Sequence, residues 1–127
     1  MSKAVLKAVS DGMAAIGMNY EYQEWTDDPV YPYFVGEYQE FEPMNEDGMQ
    51  ETSFILTGFT RGSHLELETA KDKIEKKFNP ITGYKVSTDQ GSVVAIFYAS
   101  TLTNIPTGDA ELKTLQINLL VKEWKVI

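Results

Sequence analysis

Thr52-Ser53-Phe54-Ile55-Leu56-Thr57-Gly58-Phe59 decides the fold. In an extended chain successive side chains alternate between faces, and here apolar residues fall on both, with Phe54 and Leu56 on one side and Ile55 and Phe59 on the other. A strand apolar on both faces belongs in the middle of a sheet. Downstream, Gly58 and Gly62 bracket a corner into a helix over residues 64–78. Ser63 and Glu66 have the spacing of a capping box, and Leu67, Ala70, Ile74 and Phe78 recur at helical intervals. Lys71–Glu75 and Asp72–Lys76 are opposite-charge pairs four residues apart, and Asn79-Pro80 ends the element.

Upstream, Ala4, Val5, Ala8, Val9, Gly12, Met13 and Ile16 form one apolar stripe, which predicts a helix over 3–16 between Ser2 and Gly17. Asn19–Trp25 and Tyr33–Phe41 read as strands separated by the turn-prone Asp27-Asp28-Pro29, and Pro43–Gln50 reads as an acidic hairpin loop. Beyond the second helix, 84–88, the apolar run 93–98 and the alternating 115–122 are strands, with 93–98 expected centrally and 103–110 as a second long loop. Helix, strands, helix, strands makes an α+β domain: an antiparallel or mixed sheet with both helices on one face, not a doubly wound parallel sheet. A chain of 127 residues is expected to form one domain over 1–127.

Charge is divided along the chain. Between Lys7 and Arg61 stand eleven carboxylates and no lysine or arginine, whereas residues 61–127 carry nine basic and eight acidic residues. The net charge of −8 argues against a DNA or RNA reader, which needs a basic face against phosphate. The absence of cysteine excludes thiolate chemistry and thiolate metal sites. No window approaches the length of a membrane span and no secretory leader pattern opens the chain, so a soluble intracellular protein is expected.

Chemistry-bearing motifs are scarce. The lone histidine, His64, sits in the first turn of a helix, where a solvent-facing or corner-packing role is the ordinary one. No nucleophile elbow, phosphate loop or dinucleotide fingerprint occurs. Glu40 and Glu42 share a strand face and, with Glu37, form the one carboxylate set open to acid–base or metal work, although such runs are ordinarily solvated faces. Eight aromatic residues crowd 20–41, among them Tyr20, Tyr22 and Trp25, and are read as shared between core and interface.

The segments Tyr31-Pro32-Tyr33-Phe34-Val35-Gly36-Glu37-Tyr38, Glu51–Phe59, Arg61-Gly62-Ser63 and the helix from Leu67 to Ile74, followed by a closing amphipathic strand, resemble the tail terminator (tail completion, or minor tail) proteins of long-tailed bacteriophages, of which the lambda terminator is the type. The resemblance covers most of the chain, chiefly through element order and length. It implies a non-enzymatic virion protein without cofactor, made in the bacterial host cytoplasm. Such a protein forms a hexameric ring on the head-proximal end of the tail tube, with the free chain either ring or monomer. It ends tube polymerisation and presents a docking surface to the head connector or stopper protein.

On that reading DNA passes without specific binding. Glu42, Glu46, Asp47 and Glu51 are then expected as a lumen-facing acidic loop that repels phosphate. Arg61, Lys71, Lys73, Lys76 and Lys77 are expected to meet the acidic flank of a neighbouring subunit, with Tyr20, Tyr22 and Trp25 also at an interface. The rival readings are another phage neck or tail component, a small acidic DNA-mimic inhibitor, and an enzyme using Glu37, Glu40 or Glu42.

Overall fold

The computed structural model describes residues 3–23, 30–40, 49–87, 91–103, 108 and 111–124. Its elements are α1 (Lys3–Ala15), β1 (Asn19–Tyr22), β2 (Tyr33–Glu40), β3 (Met49–Thr60), α2 (His64–Lys77), β4 (Tyr84–Ser87), β5 (Val93–Thr103) and β6 (Lys113–Trp124). The strands form one six-stranded sheet in the order β1-β2-β3-β6-β5-β4. Every pairing is antiparallel except β1 with β2, which is parallel. The fold is α+β, with a mixed sheet.

The segment around Phe54 is central, as its two-sided apolar pattern predicts. β3 lies between β2 and β6 and pairs with β6 from Met49↔Trp124 to Thr60↔Lys113. The run 93–98 is less central than expected, since β5 stands second from an edge, covered there by the short β4. β5 also continues to Thr103, past the expected end at 98, through a register shift between Tyr98 and Ser100.

Both helices pack on one face. Val5, Val9 and Met13 of α1 and Leu67, Ala70 and Ile74 of α2 join Phe34, Phe54, Leu56, Ile96, Ile117, Leu119 and Val121 of the sheet in one buried cluster. Each fully buried Leu, Ile or Phe contributes roughly 1.5–3 kcal/mol, so this seam carries most of the stability.

Two glycines are set by geometry. Gly17 (φ +73°) ends α1 in a left-handed turn in which its N–H donates to the Ala14 carbonyl and the Met18 N–H to the Met13 carbonyl. Gly58 is not part of the corner but lies within β3, because a Cβ there would stand 2.5 Å from the Phe34 ring.

The corner itself is built differently from the expected capping box. Ser63 Oγ accepts from the Leu65 N–H, and the Glu66 carboxylate accepts from the Thr60 hydroxyl (2.8 Å) instead of reaching back to the cap. The Gly62 N–H donates to Thr60 Oγ1, so Thr60 and Glu66 tie the end of β3 to the first turn of α2. On α2, Lys71 takes both acidic partners, Glu75 at 3.4 Å and Asp72 at 3.9 Å, so the expected Asp72–Lys76 pair does not form.

Candidate functional site

Pleating sends the other half of the strand side chains to the far side of the sheet, where no described element covers them. The register places Tyr33, Val35 and Glu37 of β2 there, with Ile55, Thr57 and Phe59 of β3. Asn118 and Leu120 of β6 and Phe97 of β5 continue the same face. Most of these are half-buried, and among the described residues no second layer lies over them. Tyr33 stacks on Phe59 (centroids 5.1 Å), Tyr31 lies tilted against Tyr33 (5.5 Å), and Arg61 Nε donates to the Tyr31 hydroxyl. At the opposite end Val93 and Trp124 are 42% and 37% exposed. A face carrying aromatic and aliphatic side chains among threonine, asparagine and glutamine has the composition of a protein interface.

Of the four carboxylates expected on a loop, Glu42, Glu46 and Asp47 lie outside the described residues. Glu51 is not on a loop: β3 begins at Met49, and Glu51 stands opposite Lys122 on the open face. The strand begins earlier than read because its polar start, Met49 to Thr52, is held by the full length of β6, a partner that local sequence does not reveal.

Tyr20 and Tyr22 turn to the helix-bearing side, half-buried against the core, with Tyr22 stacked between Tyr38 (6.2 Å) and Phe54 (6.4 Å). β1 pairs with β2 in the register that sends its tyrosines inward, so both pack against the core. Trp25 lies outside the described residues. The Tyr20 hydroxyl is buried over Gly36 with no hydrogen-bond partner among the described residues, and burial pushes its acidity well below that of an ordinary phenol.

The basic set does not form one patch. Arg61 stands before the N-terminus of α2 and Lys77 at its C-terminus, about 21 Å along the helix by its rise per residue. Lys71 is engaged within its own protomer, paired with Glu75 and lying over the Tyr98 ring, and the Glu75 hydrogen bond raises its pKa. Lys77 lies 4.6 Å over the Tyr84 ring, while Lys73 and Lys76 are exposed.

Sites for chemistry are few. Among the described residues no group of three His, Asp or Glu stands close enough to hold a metal ion. Glu37 is exposed on the open face, and His64 is exposed at the start of α2. A groove of about 440 Å³ separates the end of α1 from the start of α2, lined by Met18, Pro32, Leu65, Ala70, Glu66 and Lys73. No described helix is long and apolar enough to cross a membrane.

The two-sided apolar pattern of β3 extends across the neighbouring strands to form the open face. Its signal was present in Leu120, an apolar residue in the polar phase of β6, and in the unbroken apolar run of β5.

No family model matches the sequence, and no curated protein matches it. Solved structures do. A chain of the virion of a native gene transfer agent particle superposes with a TM-score of 0.65 over 95% of this chain and 92% of its own, at 10% identity. A second solved chain, whose name states no function, superposes with a TM-score of 0.67 over 98% of this chain and 94% of its own, at 15% identity. At these identities the likeness is one of fold.

Proposed function

We propose that this chain is a structural, non-enzymatic virion protein of a long-tailed phage or prophage: a tail terminator. It forms a ring on the head-proximal end of the tail tube, stops tube growth and gives the head connector its docking surface. The observation that carries this reading is the end-to-end superposition on a chain of a gene transfer agent virion, across more than nine-tenths of both chains. It agrees with the element order by which the sequence resembles tail terminators.

The physical features fit such a role. One sheet face is sealed by helices and gives the subunit its stability, while the other presents Tyr33, Ile55, Phe59 and Leu120 to a partner. The base-free segment supplies carboxylates that repel DNA, whose duplex carries about one negative charge per 1.7 Å, so DNA passes a lumen lined by Glu42, Glu46 and Asp47 without sticking.

Electron microscopy of tube subunits polymerised with and without this protein tests the reading. A cap on one end of tubes that have stopped growing is the expected result. Unaltered tubes with no bound protein overturn it. The same superposition supports a second reading, another neck or tail component, which predicts attachment to tubes or connectors without arrest of polymerisation.

A further inference from the structure

The helix-bearing side of the sheet is not closed evenly. A groove of about 440 Å³ opens where the turn from α1 into β1 faces the N-terminal half of α2. Met18, Pro32, Leu65 and Ala70 supply its apolar lining, and of these only Ala70 is buried. Leu65 is 70% exposed. Every other exposed position of α2, from His64 to Lys76, is polar. The solvent-side pattern of this helix is therefore broken at Leu65, on the wall of the groove.

Most of the polar lining is already committed. Asn19 Nδ2 donates to the Val30 and Pro32 carbonyls. Ser63 Oγ accepts from the Leu65 N–H, Thr69 Oγ1 donates to the Leu65 carbonyl, and the Glu66 carboxylate accepts from Thr60 Oγ1. Glu66 also stands in the first turn of α2, where the helix dipole offsets its charge.

Lys73 is different. Three and four residues away on the helix stand Thr69, Ala70, Lys76 and Lys77, so α2 offers it no carboxylate at pairing distance. The nearby acids, Asp72 and Glu75, are both taken by Lys71. Lys73 is exposed at the groove and makes no ion pair or hydrogen bond among the described residues.

The spacing of these features suits an extended chain. Along α2 the rise from Leu65 to Lys73 is about 12 Å, and from Ala70 to Lys73 about 4.5 Å. In an extended peptide, side chains two residues apart point the same way and stand about 7 Å apart. An apolar side chain seated among Met18, Pro32, Leu65 and Ala70 thus brings a carboxylate two residues further on within reach of the long Lys73 side chain.

We propose that this groove takes a short extended segment of another protein, carrying an aliphatic side chain and a carboxylate two residues apart. The unpaired lysine sets the sign of the charge, and Leu65 with its apolar neighbours sets the anchor. The open walls favour a chain segment over a small acid. Small-molecule sites bury roughly 70–90% of their ligand, whereas most of this lining is exposed. The groove lies on the helix-bearing side and not on the open apolar face, so the site goes beyond the proposed function and does not depend on it.

Two blocked peptides test the proposal: acetyl-Ala-Leu-Ala-Glu-Ala-amide and the same peptide with lysine in place of glutamate. Each is titrated to millimolar concentration into the isotope-labelled protein while backbone amide shifts are followed by NMR. Saturable shifts centred on Met18, Leu65, Thr69 and Lys73 are expected. The glutamate peptide is expected to bind about two- to fivefold tighter than the lysine peptide, the range for an exposed ion pair. Lys73→Glu is expected to reverse that preference, and Leu65→Ser to weaken both peptides by about threefold or more. Both side chains are exposed, and the same amide spectrum reports whether each variant keeps its fold.

No saturable shift at the groove, equal affinity for the two peptides, or a preference that survives Lys73→Glu overturns the proposal. Butyrate binding as tightly as the glutamate peptide overturns it in favour of a small acid. Groove shifts that appear when the protein is concentrated alone assign the site to a second copy, and they overturn it as well.

Discussion

The two faces of this sheet are made from the same strands, yet they differ in what holds them. On the helix-bearing side Phe34, Phe54, Leu56, Ile117 and Leu119 lie in a sealed cluster. On the other side Ile55, Phe59, Phe97 and Leu120 shelter one another only in part. A residue and its immediate neighbour therefore have different tasks: one stabilises the subunit, and the next is available to a partner. Burial by a second layer, more than residue type, separates them.

The largest expected contrast comes from adjacent leucines. Leu119→Ala removes a side chain that is 1% exposed and is expected to cost about 2–5 kcal/mol of unfolding free energy in urea titrations. Leu120→Ala, the same truncation on the open face, is expected to cost about 1 kcal/mol or less. Equal costs would mean that the open face is covered in the isolated protein.

A second contrast comes from Gly58 and Thr57. Gly58→Ala drives a Cβ into the Phe34 ring and is expected to cost roughly 1–3 kcal/mol in thermal or urea unfolding. Thr57→Ala next to it is expected to change stability by no more than about 0.5 kcal/mol. A smaller effect follows from charge. Lys122→Glu sets a second carboxylate opposite Glu51 and is expected to cost about 0.2–1 kcal/mol, diminishing as salt is added to the unfolding buffer.

The smallest effect at neutral pH belongs to Tyr20. Tyr20→Phe removes a buried hydroxyl with no partner among the described residues and is expected to leave stability at pH 7 within about 0.5 kcal/mol. Because its pKa is raised from 10.0, the folded state keeps the phenol protonated after the unfolded chain has begun to ionise. That contribution is present below pH 10 and is lost as pH rises above it, so Tyr20→Phe is expected to flatten the alkaline fall in stability. An identical alkaline profile in the variant would assign the loss to other groups.

Local signals made most of the fold legible. The stripe from Val5 to Met13, the stop at Gly17 and the stripe from Leu67 to Ile74 set both helices, because 3.6-residue periodicity and left-handed glycine turns are properties of short segments. The candidate surface was less legible. Tyr20 and Tyr22 read as shared between core and interface, and only the partner strand turns them to the core, because a strand slipped by one residue exchanges its faces. Glu51 read as a loop residue because polar strand starts and loops look alike until a twelve-residue neighbour pairs with them.

The sequence by itself determined the α+β class, the central strand through Phe54 and the separation of acidic from balanced halves, since composition and periodicity are written residue by residue. Tertiary structure alone decided which strands stand at the edges. The order β1-β2-β3-β6-β5-β4 sets the base-free strands β1 and β2 at one edge of the sheet and β4 and β5 at the other. Strand order depends on long-range pairing, whose energy is spread over whole ladders and resides in no single segment.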